Sequence, residues 1–203
     1  MYDSELIFKR YPQLSECRED MYLALDILTE CVKNGGKILL CGNGGSAADC
    51  DHIAGELLKG FLKKRPLSQA QKALWTEESW IADKLQNGIC AVNLSDICAT
   101  MTAVINDTDA QLVYAQLVQA MGKKDDVFIG ISTSGGAKNV RYGAMTAQKL
   151  GMKTICLTGK KESPLSEASD VSIRVPAQET YMVQEYHLPV YHWLCAMLEE
   201  KFF

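Results

Sequence analysis

An α/β fold on a five-stranded parallel sheet is predicted by three observations. Segments 37–41, 88–94, 127–131, 154–157 and 171–175 are short and dominated by apolar runs such as ILLC, VFIGI and TICL, as strands covered on both faces should be. Stretches with helical apolar spacing lie between them, which argues for crossover connections and a parallel sheet. Glycine- and serine-rich turns follow two of the strands, where ligands bind in such sheets.

The elements follow in order. After a short helical start, 15–34 carries Leu23, Ile27, Leu28, Cys31 and Val32 at helical spacing and stops at Gly35-Gly36. Strand 37–41 and helix 46–61 come next. Segment 62–87 breaks the rhythm: it is polar and charged, contains Pro66, Trp75 and Trp80, and reads as an insertion with its own short helix. Strand 88–94 leads into helices 95–105 and 109–121. Strand 127–131 lies between Asp125-Asp126 and a hydroxyl-rich turn, and a helix to Leu150 follows. Strand 154–157, a Ser- and Glu-rich loop–helix, strand 171–175 and a last helix from about Gln178 complete the chain. At 203 residues this is most simply one domain, 1–203, with an N-terminal helical extension and the insertion at about 62–87.

Composition narrows the function. A net charge of −4 argues against a surface that coats nucleic acid. No apolar run has the length of a membrane span, and MYDSELIFKR lacks a signal-peptide core. The eight cysteines form no CxxC pair, and several sit in apolar runs as small core residues. A reducing cytoplasm is the expected location.

Two turns carry the chemistry. Gly42-Asn43-Gly44-Gly45-Ser46 joins a strand to a helix, so its backbone can approach a ligand and the helix start can face an anion. Ser132-Thr133-Ser134-Gly135-Gly136 also follows a strand, and its hydroxyls and N–H groups can hold phosphate oxygens without a metal. It is neither a Walker loop nor a dinucleotide fingerprint; taken alone, it could equally be a run of helix N-caps. Within the helix after the first turn, His52 and Glu56 are four apart and share a face. That pair alone could be a solvated salt bridge. Gln184 and His192 are eight apart in the last helix, so they can face one side, although Pro189 between them should bend it. His187 reads as a structural histidine. Asp49 and Asp51 read as dipole-stabilising or solvated residues, and Trp75 and Trp80 as packing anchors or, alternatively, a lid. Trp193, Leu194, Met197 and Leu198 read as core or interface.

With these motifs in view (CGNGGSAADCDHIAGEL, AVIND, DVFIGISTSG, GMKTICLTGK and VQEYHLPVYH), the chain resembles the sugar isomerase (SIS) domain family, and within it the bacterial phosphoheptose isomerases. The likeness covers nearly the whole chain. It implies a three-layer sandwich of flavodoxin-like form and an aldose–ketose isomerase. The implied reaction converts sedoheptulose 7-phosphate to D-glycero-D-manno-heptose 7-phosphate through an enediol. By position, Asn43, Gly44, Gly45, Ser46, Asn106, Asp107, Ser132, Thr133, Ser134 and Gln184 would contact substrate. His52, Glu56, Gln184 and His192 would hold one Zn2+ per subunit, with Glu56 and His192 also the acid–base pair. A homotetramer without nucleic-acid or membrane partners is implied as well. Three departures stand out: the longer segment 62–87, Ala137 where a phosphate-binding serine is usual, and Tyr181 where an aspartate is common. A relative on the same fold, the DnaA initiator-associating protein, is a binding protein without the equivalent glutamate and last histidine; here Glu56 and His192 are both present. A sugar-phosphate sensor is a further alternative.

Overall fold

The computed structural model describes residues 2–203. The chain opens with α1 (Leu6–Arg10), a 3-10 turn at Pro12–Cys17 and α2 (Arg18–Lys33). Then come β1 (Ile38–Gly42) and α3 (Gly45–Leu58), followed by two short helices, α4 (Gln69–Lys72) and α5 (Ser79–Lys84). The middle contains β2 (Ala91–Asn93), α6 (Cys98–Asp107), α7 (Val113–Met121), β3 (Val127–Ile131) and α8 (Lys138–Lys149). Finally β4 (Lys153–Thr158), α9 (Pro164–Glu167), β5 (Val171–Arg174) and α10 (Thr180–Phe202) complete it.

The five strands are all parallel, in the order β2-β1-β3-β4-β5, with Ile38 to Gly42 of β1 in register with Val127 to Ile131 of β3. β1 and β3 are buried along their full length, which is why their sequences read as unbroken apolar runs. Alternate residues serve opposite faces. Ile38, Leu40, Ile129 and Ile131 pack with Leu25 and Leu28 of α2, Ile53 and Leu57 of α3, and Trp193 and Leu194 of α10. Leu39, Cys41 and Phe128 pack with Tyr114 and Leu117 of α7 and Val140 and Ala144 of α8. A helical layer on each face makes the expected three-layer sandwich. Strand order reverses direction between β1 and β3, so their carboxyl ends flank the crevice typical of ligand sites.

Several expectations shift in detail. Strand 88–94 contracts to Ala91–Asn93, because the chain turns at once into a 3-10 segment with the Asn93 side chain accepting from Ser95 N. The helix after β1 ends at Leu58 rather than near Phe61. The helix expected over 95–105 is displaced to Cys98–Asp107. Helix α10 runs through Pro189 without interruption, while Trp193, Leu194 and Leu198 are core residues. Trp80 is no packing anchor: it is 62% exposed and bonds only locally, to Glu78.

Candidate active site

The glycine turn after β1 builds one wall of the crevice. Gly44 takes a left-handed φ of 56°, which a side chain would resist, and α3 begins immediately after it. Asn43, Gly44 and Gly45 are exposed, whereas Ser46 is buried beneath the turn. Helix α10 reaches this turn through Gln184, whose Nε2 would lie 2.2 Å from any Cβ placed on Gly45. A glycine is therefore required for Gln184 to sit where it does. Tyr114 of α7 braces the turn from below, donating to Gly42 O, with Asn43 Oδ1 at 3.3 Å. Burial pushes the Tyr114 hydroxyl up to about 12, so it stays a proton donor.

Two helical turns into α3, His52 and Glu56 meet α10. His52 Nε2 lies 3.3 Å from Glu56 Oε1 and 3.4 Å from His192 Nε2. Their rings stand edge to face at 4.9 Å, and Phe61 covers His192 at 5.5 Å. Burial, and then the neighbouring His52, hold the His192 imidazole below its ordinary value, against the opposing pull of Glu56. A neutral His192 near pH 7 has a free ring nitrogen to accept a proton. On the other side of His52, Nδ1 sits 3.0 Å from the Tyr191 hydroxyl, which is itself 3.3 Å from Asp49 Oδ1. This chain of polar groups fixes the ring of His52. Asp49 is thus half-buried and supports Tyr191; of its two expected roles, dipole-stabilising or solvated, the solvated one is corrected. Tyr191 was not foreseen, since its hydroxyl joins the site only once α10 lies on α3.

The second wall follows β3. Gly135 is left-handed, and its turn is closed by Gly135 N donating to Ser132 O at 3.0 Å and Leu165 N donating to Gly135 O at 3.2 Å. Ser132 is buried, Thr133 half-buried and Ser134 exposed. Thr133 and Ser134 line a cleft of about 300 Å3 together with Gly159, Lys160, Lys161 and Gln178. Glu179 also lines the cleft, and of its two lysines Lys160 pairs with Glu16 at 3.1 Å. The two walls are joined by Asn139 of α8, which bonds the Asn43 side chain.

Not every candidate converges. Asn106 and Asp107 lie exposed on the last turn of α6. Among the described residues, Asn106 donates to Asp107 at 2.7 Å and neither bonds to His52, Glu56 or the two turns. His187 is buried, with Nε2 near Thr158 O at 3.4 Å, as a structural histidine should be. Among the described residues no three His, Cys, Asp or Glu side chains form a closed metal cluster.

Comparison with known proteins agrees with this architecture. The SIS domain family model matches residues 12–159. A phosphoheptose isomerase of Nitratiruptor sp. is 39% identical over 187 residues, covering 92% of this chain and 89% of that protein. One from Helicobacter pylori (strain P12) is 36% identical over 189 residues, covering 93% and 88%. Among solved structures, phosphoheptose isomerase of Neisseria gonorrhoeae superposes with a TM-score of 0.73 at 28% identity, covering 97% of this chain and 98% of that one. That of Francisella tularensis gives 0.75 at 26%, covering 98% and 100%.

Proposed function

The chain belongs to the SIS domain family, and we propose that it is a phosphoheptose isomerase acting on sedoheptulose 7-phosphate. One observation carries the reading: a carboxylate and two imidazoles, Glu56, His52 and His192, meet within hydrogen-bonding range on α3 and α10, and a hydroxyl turn follows β3, the strand paired with β1. The first set can move protons and the second can hold a phosphate.

The reaction moves one proton between adjacent carbons and another between their oxygens. A base takes the proton from C1 of the ketose, an enediol forms, and the proton returns to C2. Glu56 Oε1 and His192 Nε2 lie 3.3 and 3.4 Å from the same atom, His52 Nε2; one serves as the carbon base and the other shuttles the oxygen proton. Ser132, Thr133 and Ser134 grip the phosphate away from the reacting carbons, and the binding energy realised there orients the sugar. Loss of a hydroxyl at Ala137 leaves Lys161, in the lining of the same cleft, as compensating charge. Asn43 and the exposed N–H groups of Gly44 and Gly45 face the sugar hydroxyls; Asn106 and Asp107, which do not converge on the site within this chain, are left out of the scheme.

His52, Glu56, Gln184 and His192 fit a zinc ion in donor chemistry. His52 Nε2 lies 3.3 Å from Glu56 Oε1 and 3.4 Å from His192 Nε2, and Gln184 stands against Gly45 at the start of α3; these are the residues that would hold the ion. When bound, the metal supplies Lewis-acid polarisation of a carbonyl oxygen. The assembly we favour is a homotetramer; Ile105 and Leu112, exposed on and after α6, support subunit contact there. Residues 2–203 are read as one domain carrying an arm at 62–87. Eight free cysteines support a reducing, cytoplasmic setting, and no helix among the described residues is long and apolar enough to cross a membrane.

The test is proton NMR of sedoheptulose 7-phosphate with the protein in heavy water, with added zinc and with chelator. Aldose formation with solvent deuterium at C2 is expected, and loss on chelation supports the metal. Neither aldose nor exchange from protein that binds the sugar phosphate would instead assign a binding role, of the initiator-associating or sensor kind.

A further inference from the structure

We infer that Arg65 and Glu199 form a positioning pair for the isomerase, holding the end of α3 that bears Glu56 against the helix that bears His192. The inference rests on the isomerase reading and names the residues that set its geometry.

Both side chains are buried, at 0% and 1% exposed, and Arg65 Nε donates to Glu199 Oε1 at 2.8 Å. The rest of the guanidinium is spent on α3. One terminal nitrogen donates to Leu57 O at 2.7 Å and the other to Glu56 O at 3.2 Å. The final carbonyls of a helix lack N–H partners from within it, and here one rigid fork supplies two of them. Glu199, seven residues beyond His192 on α10, accepts in turn from the N–H groups of Phe61, Leu62 and Lys63 at 2.8, 2.7 and 3.0 Å. That fixes the backbone of Phe61, whose ring covers His192. The pair therefore bonds one member of the acid–base couple directly and reaches the other through its neighbours. It grips Glu56 through its own carbonyl, and His192 through Phe61 and the shared helix.

A buried ion pair is not required for stability, because apolar side chains of similar volume commonly do as well. What apolar groups lack is direction. An arginine fork fixes planar, two-point geometry that a lysine ammonium does not reproduce. Misplacement of reacting groups by about 1 Å can cost on the order of 100-fold in rate. Arg65 is also the root of segment 62–87, where its N–H donates to Gln86 Oε1 and its carbonyl accepts from Asn87 N. The arm thus begins at the residue that sets the site.

The test compares the wild-type chain with Arg65→Lys and Glu199→Gln, each of which keeps a polar partner and a comparable volume. Steady-state kinetics on sedoheptulose 7-phosphate, melting temperature and the ring signals of the three histidines are measured. In both variants kcat is expected to fall about tenfold or more while KM stays within about twofold. The His192 ring signals should shift as Phe61 moves, with those of His187 unchanged. Wild-type kcat in both variants, or unshifted His192 signals, would overturn the inference. So would losses spread over kcat and KM that simply follow the melting temperature. If the wild-type protein shows no isomerisation, the isomerase reading fails by itself, and the histidine spectra still decide whether the pair positions His192.

Discussion

Asn43 and Asn139 exchange two side-chain hydrogen bonds, each 2.9 Å long, across the crevice between β1 and β3. They are 96 residues apart, one on the glycine turn and the other on the first turn of α8. Each amide offers the other a donor and an acceptor, so the two turns proposed to bind ligand are set at a fixed separation. Replacing Asn139 by Ala removes both bonds, at a net cost of about 1 kcal/mol each. The expected result is a KM for the sugar phosphate raised about tenfold with kcat within about threefold; steady-state kinetics check it.

Glu56→Gln keeps the shape of the side chain and removes its basicity. Turnover should fall by about 10²–10⁴-fold, with an unchanged melting curve because Glu56 is only partly buried. Residual rate near wild type would remove Glu56 from proton transfer.

Gly45→Ala places a methyl group 2.2 Å from Gln184 Nε2. The amide end is flexible and will move, so the fold should persist while Gln184 loses its position. Weaker zinc retention in a competition assay is the expected consequence, with little change in far-UV circular dichroism.

Stability should depend on His187 below neutral pH. Burial depresses its imidazole to about 4. The unfolded chain, at its ordinary value near 6.5, therefore takes up the proton first. The contribution is complete above about pH 6.5 and is lost as pH falls through the folded value, about 3 kcal/mol in all. Denaturant titrations at pH 7 and pH 4 should show His187→Leu losing about that much less than wild type between the two conditions.

The 62–87 arm should be cut without loss of the body. Leu74 and Trp80 are 81% and 62% exposed, while Asn87 bonds to Arg65 O and Pro66 O at the arm's base. Limited chymotrypsin digestion is expected to nick near these two residues and leave the sheet intact. Slower cutting in the presence of sugar phosphate would mark the arm as a lid; an unchanged rate would count against one.

The parts of the fold that could be read in advance were those where local sequence and burial agree. ILLC and VFIGI announce strands because β1 and β3 are covered on both faces, and Gly44 announces a turn because only glycine readily accepts its φ. His52 and Glu56 were legible because a helix repeat alone makes them neighbours. Tyr191, Asn139 and Arg65 were not, since each acquires its role by contact with an element far away in the chain. Their own surroundings in sequence (a tyrosine in an apolar helix, an amide after a lysine, an arginine before a proline) carry no trace of it. Trp80 misled for the opposite reason: a large aromatic residue usually packs, and here it stands 62% exposed on the arm, bonded to Glu78.

The reversal of strand order between β1 and β3 separates two tasks that a smaller site would have to combine. On the reading proposed above, proton transfer belongs to α3 and α10 on one side, and the grip on the phosphate belongs to the turn after β3 and its neighbours on the other. Descendants of such a protein can exchange the gripping loop, and with it the phosphorylated compound admitted, while inheriting the acid–base apparatus unchanged. Ala137 and Tyr181 both lie outside the His52–Glu56–His192 cluster, just before α8 and in the first turn of α10, where a change of side chain leaves that cluster in place.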